Sequence, residues 1–402
     1  MTRSSGNPPA GGVPPFASAA SREQTLRTLR SLRDALEESR YQSARILPMP
    51  GKIWDLPIDL ACLSHLRGDG GNLFHRSAIP GFYRKLLRRT APRAVELHQL
   101  FLLGRTLDAR EIARLLPARL TDELLETGIL ERADGGLRSR VMMTPYRGGY
   151  YVSDPLWTQG REGHVYMGRA SFTPPDVLLS EPAADAPSGR LLDVGCGSAI
   201  GALAVAHRFT EVVGIDIVPR CLECATLNAG INQVPNARFH ASDLYAQVRG
   251  TFDTIIANPP FGWIDDEIER PLAHAFGGGD FGTELPRRIL AGAMGILEPG
   301  GRVISTMDGV WRGGEEQVVG LLRDIFEPIG AHVLVYRLFD EFNFKRARAY
   351  RRHGISKMMR YAVVARGAPD FKLTFARLDT PVYVAYRLRL ALPRLVAALK
   401  KA

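Results

Sequence analysis

The chain has 402 residues, of which 45% are hydrophobic and 23% charged, and carries a formal net charge of +10. That length allows two or three compact units with a real core, and the composition is that of a soluble globular protein. No apolar run reaches the roughly 20 residues that span a bilayer, the opening lacks the charged and apolar halves of a signal peptide, and four cysteines are too few and scattered for a disulfide framework. A cytoplasmic protein is the expectation.

The first 20 residues, MTRSSGNPPAGGVPPFASAA, read as a disordered leader, and residues 21–181 as an N-terminal domain. SREQTLRTLRSLRDALEESRY spaces apolar residues as one face of an amphipathic helix. PRAVELHQLFLLG is a second helix ended by Gly104. In TLDAREIARLLPARL, Asp108 stands three residues before Glu111, the pattern of a capping box. TDELLETG is a further short helix, and Asp134-Gly135-Gly136 then marks a hairpin. Short helices followed by a hairpin are the order of a winged-helix unit, which binds DNA in some proteins and holds substrate or packs in others.

Residues 182–190, PAADAPSGR, have the composition of a linker. From 191 to 366 strands alternate with helices: RLLDVG, SAIGALAVAHRF, EVVGIDIV, RCLECATLNAG, ARFHASD, TFDTIIANPP, LPRRILAGAMGIL and GRVISTM, extended by EEQVVGLLRDIF, AHVLVYRLF and RYAVVARG. This grammar predicts an α/β fold, a Rossmann-like doubly wound sheet that binds ligands beyond the carboxyl ends of its strands. Residues 367–402 form a basic extension. Residues 341–402 hold 15 Lys and Arg against 3 Asp and Glu, so the basicity belongs to the tail and favours phosphates or acidic partners. Cys221 and Cys224 form a lone C-x-x-C with nothing to complete four metal ligands, and read as ordinary helix residues.

The loops at the strand ends carry the chemistry. Asp193 opens DVGCGSAIG, where Gly195 and Gly197 permit a tight turn and close ligand approach and Gly201 lets helix and strand pack. The spacing G-x-G-x-x-x-G is one residue longer than the dinucleotide fingerprint, which argues against NAD. Asp216 ends the second strand, where a carboxylate can accept from both ribose hydroxyls, and Asp243 ends the third, placed for an adenine edge; Ile217 and Leu244 follow them into the same pocket. With no phosphate-loop lysine, the ligand that fits is S-adenosylmethionine. Two prolines stop the fourth strand at ANPPFG, because neither has an N–H to give the ladder. Asn258 can then offer its side-chain oxygen and Pro259 its carbonyl to the two N–H groups of a planar nitrogen, while Pro260 stiffens the turn and Phe261 gives the planar group an apolar surface.

The run LLDVGCGSAIGALA, VVGIDIV, ASDLY, FDTIIANPPFG resembles the class I S-adenosylmethionine-dependent methyltransferases of the Asn-Pro-Pro-aromatic type, which methylate glutamine amides or exocyclic amines of nucleic-acid bases. ERPLAHAFGGGDFGTELPRRILAGAMGILEPGGRV and FTPPDVLL are similar to stretches of the glutamine methyltransferases acting on release factors, the second being the segment that lies over the cofactor there. Here a phenylalanine is inserted in that family's glycine-rich loop, giving Gly278-Gly279-Asp280-Phe281-Gly282. The resemblance covers about residues 165–310. It implies an N-methyltransferase acting on a protein glutamine amide. The alternative is a base amine of RNA, suggested by Phe342, Phe344 and Tyr350 interleaved with positive charge in FNFKRARAYRRHGISKMMR, and a small-molecule amine is a third. The expected partner is a macromolecular substrate, with no membrane and no metal.

Overall fold

The computed structural model describes residues 19–41, 92–155, 164–180, 186–261, 280–340 and 347–378. Most of the leader, the first residues of the linker, Gly278 and Gly279, Phe342 and Phe344, and the chain after Leu378 lie outside the described residues. The chain divides into two units, one within Met1–Pro48, Trp54–Arg169 and Glu223–Pro235, the other within Met49–Ile53, Ala170–Leu222 and Asn236–Ala402.

In the first unit, α1 (Ala19–Glu38) buries Leu29, Leu32 and Leu36, the helical spacing read from the sequence. Helices α2 (Pro92–Phe101), α3 (Ala109–Leu115) and α4 (Ala118–Glu126) follow. The capping box of α3 is present: Asp108 accepts from Arg110 N and Glu111 N, both at 2.8 Å, and Glu111 accepts from Asp108 N at 2.9 Å. Strands β1 (Leu130–Ala133) and β2 (Gly136–Ser139) form the expected hairpin, and a second pairs β3 (Met142–Tyr146) with β4 (Gly149–Ser153). A Cβ on Gly136 would collide with the Leu107 carbonyl, and Leu107 bridges Leu137, so the first hairpin needs glycine there.

The outer edge of β4 is met by side chains rather than by a strand. Asn228 accepts from Val152 N (2.7 Å) and donates to Val152 O (3.0 Å); Asn232 accepts from Tyr150 N and donates to Tyr150 O, both at 2.8 Å. Both asparagines lie on or just after α7 (Pro219–Ile231), after a short α5 (Thr173–Ser180) and α6 (Ile200–Leu203). Four residues of helix rise about 6 Å and two residues of strand about 6.8 Å, so the two repeats match. From α1, Arg30 and Arg33 donate to Gly230 O and Ile231 O, carbonyls of the last turn of α7.

The second unit is the predicted α/β sheet. Its strands are β5 (Arg190–Val194), β6 (Glu211–Asp216), β7 (Ala237–Ala241), β8 (Phe252–Ala257), β9 (Leu297–Arg312), β10 (Glu315–Glu316), β11 (Ala331–Asp340), β12 (Ile355–Gly367) and β13 (Lys372–Ala376). Their order is β13-β11-β12-β9-β8-β5-β6-β7, with β10 on β9. Strands β5 to β9 run parallel and β12 antiparallel between β9 and β11. The order reverses direction between β5 and β8, so the carboxyl ends of those neighbours flank the crevice where such sheets bind ligands. Helices α8 (Glu284–Ala293) and α9 (Gln317–Phe326) bury Ile289, Leu290, Leu322 and Phe326 in a core with Leu192, Ile255 and Val303.

Three sequence readings change. SAIGALAVAHRF is not one helix: α6 stops at Leu203, where Val205 N turns to Ala202 O, and a separate 3-10 turn covers Ala206–Arg208. β9 runs 16 residues, far past GRVISTM, because β12 pairs with it up to Arg312. Finally β13, in the segment assigned to the C-terminal extension, pairs in parallel with β11 from His332↔Lys372 to Tyr336↔Ala376, so the sheet continues ten residues beyond 366.

Candidate active site

Val194, the last residue of β5, is the register partner of Ala257, the last of β8. Gly195 and Asn258 therefore leave adjacent strands side by side, which brings the glycine loop and the Asn-Pro-Pro-Phe turn to one end of the sheet. Gly195 and Gly197 adopt φ of +68° and +54°, a region L side chains rarely enter. Beyond its two chain neighbours, no atom among the described residues lies within 4 Å of where a Cβ on Gly195 would stand. Gly201 differs from expectation: a Cβ there would meet Ile256 Cδ1 at 3.4 Å and Asp193 Oδ2 at 3.6 Å, ordinary contact, so packing does not require glycine.

Asp216 ties the loop to the end of β6. Its carboxylate accepts from Gly197 N and from Val218 N, both at 2.9 Å. Burial raises its pKa, opposed by the bonds from Val218, Gly197 and Cys221. Asp193 is buried, and burial pushes its carboxyl up to about 7 despite a bond from the Ala202 amide, with the nearby Asp216 charge adding to the rise. Asp243 is exposed two residues past β7, and Leu244 is held at φ +46°. Ile217 is 65% exposed, an apolar surface immediately after the carboxylate. A glycine backbone with no described atom crowding it, a carboxylate at the end of β6 and an uncovered apolar residue fit a nucleoside-bearing donor. Cys221 and Cys224 are buried in α7, with Cys224 Sγ on Val152 O at 3.2 Å, and no group of three or more metal-capable residues stands together among the described residues.

On the other side of the crevice, Asn258 is half-buried and Phe261 buried. Here the structure adds residues the sequence did not single out. Beyond Ser305, the last partner of β8, strand β9 continues, and Thr306 and Asp308 project to one face as alternate residues do. Thr306 Oγ1 donates to Asn258 Oδ1 at 2.6 Å. Asp308 holds Arg360 of β12 through Nε at 2.8 Å and Nη2 at 3.2 Å, and the Arg360 guanidinium carbon lies 4.6 Å from the centre of the Phe261 ring. Burial raises the Asp308 carboxyl and the Arg360 charge opposes that rise. The one sequence signal for this layer is an aspartate inside the apolar run VISTMDGVW.

Nearby, the inserted Phe281 takes φ +47° and packs on a cluster of Val310, Tyr350, Ile355 and Met358. Tyr350 is fully buried, with its hydroxyl on Met358 Sδ at 3.5 Å, so it offers no face for a base to stack on. The segment around it is a helix, α10 (Ala347–Arg352), leading into β12.

Residues 174–307 match the methyltransferase small domain family. The chain is 32% identical over 160 residues to a putative protein N5-glutamine methyltransferase of Methanocaldococcus jannaschii, an overlap of 39% of this chain and 78% of that protein. The chain belongs to the class I S-adenosylmethionine-dependent methyltransferases of the Asn-Pro-Pro-aromatic type. This methyltransferase is also 30% identical over 217 residues to a release factor glutamine methyltransferase of Cereibacter sphaeroides, covering 49% of this chain and 77% of that one. To a ribosomal RNA small subunit methyltransferase C of Alcanivorax borkumensis it is 27% identical over 113 residues, 28% of this chain and 30% of the relative. No helix among the described residues of the methyltransferase is long and apolar enough to cross a membrane.

Proposed function

We propose that the protein methylates a planar amide nitrogen, the side-chain amide of a glutamine in a protein substrate. The observation that carries this reading is the register pair Val194↔Ala257, which sets an asparagine acceptor and an apolar ring beside the glycine loop of the donor. When bound, S-adenosylmethionine supplies a methyl already activated on a sulfonium. Asp193, Gly195, Gly197 and Gly201 would line its loop, Asp216 its ribose, and Ile217, Asp243 and Leu244 its adenine, with Asn258 closing the donor side.

The chain's own residues then do the remaining work. An amide nitrogen is a poor nucleophile because its lone pair is delocalised into the carbonyl. Asn258 Oδ1 and the Pro259 carbonyl accept its two N–H groups, which favours a pyramidal nitrogen with its lone pair free. Phe261 receives the flat amide, and Pro259 and Pro260 hold the acceptors still, so that alignment supplies much of the rate. Phe261 is also the aromatic common in base methyltransferases, which keeps an exocyclic RNA amine as the second reading. Matches over more than three-quarters of their own lengths to a putative protein N5-glutamine methyltransferase and a release factor glutamine methyltransferase support the amide over the base, as does the burial of Tyr350.

The test is incubation with S-adenosylmethionine carrying a radiolabelled methyl in cell extract, with parallel protease and ribonuclease treatment before the macromolecular fraction is counted. Label lost only to protease is expected. Label lost only to ribonuclease would replace the amide with a base.

A further inference from the structure

We propose that Thr306, Asp308 and Arg360 are positioning residues that hold the two acceptor-binding groups, Asn258 and Phe261, in the geometry methyl transfer needs. The proposal rests on the acceptor roles given above to Asn258 and Phe261.

An asparagine amide on a turn is free to rotate about its side-chain bonds, and a rotated amide no longer presents an oxygen to the incoming N–H. Thr306 removes that freedom. It is fully buried in β9, its own rotamer is restricted by branching at Cβ, and its hydroxyl reaches Asn258 Oδ1 at 2.6 Å. The carbonyl oxygen has two lone pairs, so one bond to Thr306 leaves the other for the acceptor nitrogen.

Phe261 is held by a different device on the same face. Asp308 and Arg360 are direct register partners across the β9–β12 ladder, and their two hydrogen bonds fix the plane of the guanidinium. The guanidinium carbon lies 4.6 Å over the Phe261 ring, so the cation holds the ring in place from one face. Packing alone does not explain the pair, since an apolar pair of similar volume serves a core as well as or better than a buried carboxylate and a half-buried guanidinium. Thr306 and Asp308 are two residues apart on β9; Thr306 reaches Asn258 directly and Asp308 acts on Phe261 through Arg360. The layer beneath the turn is thus built from β9 where it outruns β8, together with its partner β12.

Three variants test this: Thr306→Val, Thr306→Ser and Arg360→Lys. Lysine keeps the charge opposite Asp308, so the fold is retained, but loses the flat stack on the ring. With tritiated S-adenosylmethionine and the methyl-accepting fraction of cell extract, Thr306→Val should lower kcat about tenfold with KM for the acceptor within twofold, the scale of one lost hydrogen bond to a reacting group. Thr306→Ser should restore kcat to within about threefold, because the hydroxyl is retained. Arg360→Lys should raise the acceptor KM about fivefold, the size of a desolvated cation–π contact. A readout independent of turnover is the side-chain amide signal of Asn258 in protein labelled with [15N]asparagine. It should be sharp in the wild type and in Thr306→Ser, and broadened in Thr306→Val. Unchanged kcat and an unchanged Asn258 signal in Thr306→Val would overturn the role of Thr306, and an unchanged KM in Arg360→Lys would overturn that of the ion pair. If the wild type labels nothing, the methylation reading fails on its own, while the Asn258 signal still decides whether Thr306 holds the amide.

Discussion

On the proposed donor side of the site, Gly197 meets the Asp216 carboxylate across 19 positions of chain, a distance spanned by one short helix, a 3-10 turn and one strand. On the proposed acceptor side, Asn258 meets Thr306 across 48 positions and Asp308 meets Arg360 across a further 52. The donor side is shaped by backbone: glycines at positive φ and a carboxylate that gathers amides. The acceptor side is shaped by side chains that only strand register brings together. A local arrangement survives the loss of one member by small readjustments, whereas a register-built one loses its partner outright.

The sharpest break in that comparison is Asn258→Ala. It should reduce turnover by about 100-fold or more, the cost of removing one preorganised group that meets developing charge, while calorimetric affinity for S-adenosylmethionine stays within twofold. A parallel loss of donor affinity would mean that the two sides are not separable. Next comes Asp308→Ala, which takes the buried carboxylate from the half-buried Arg360 guanidinium and should cost up to about 3 kcal/mol in urea unfolding. The double variant Asp308→Leu, Arg360→Met should recover most of that; an equal loss in the double variant would show that packing, not charge, is what the pair supplies.

Asp193 sharpens the donor side through pH. Its carboxyl is pushed up to about 7 in the folded protein from an ordinary 3.8, so between those values the folded state binds more protons than the unfolded one. Stability contributed at this position is therefore greatest at low pH and falls as pH rises towards 7. Asp193→Asn should remove that slope in denaturation measured from pH 4 to 8 and be the more stable protein above pH 7; parallel slopes would exclude the buried carboxyl as their source. The smallest effect is expected for Gly201→Ala. With ordinary contacts waiting for its Cβ and helix propensity favouring alanine, stability should change by less than about 1 kcal/mol and donor affinity by less than twofold. A large loss would return Gly201 to the glycines that the loop cannot replace.

The same contrast governs what could be read in the sequence. The alternation of strands and helices, the two loop glycines at positive φ, Asp216 at the end of β6 and the proline stop after β8 were legible because each is fixed by residues within one supersecondary unit. Thr306 and Asp308 were not, since nothing in VISTMDGVW reveals which strand lies alongside it or how far the pairing runs. Tyr350 illustrates the converse: a tyrosine among arginines looks like a stacking surface in one dimension, but the cluster with Val310 and Met358 turns it inward. The reading of SAIGALAVAHRF as one long helix failed for a smaller reason, because a run of small apolar residues suits a helix but does not say where its hydrogen bonds tighten.

The paired asparagines Asn228 and Asn232 bear on how a short hairpin can finish its outer edge. A hairpin edge normally offers a row of unpaired amides and carbonyls on which another chain can build a strand. At Tyr150 and Val152 those groups are already answered by two carboxamides that imitate the missing neighbour, donor for acceptor and acceptor for donor. A side chain on a rigid helix is a neighbour that cannot propagate: it completes the ladder and presents no new edge in its turn. That edge of the sheet is thereby ended, at the cost of two residues, without a charge, a proline or a bulge.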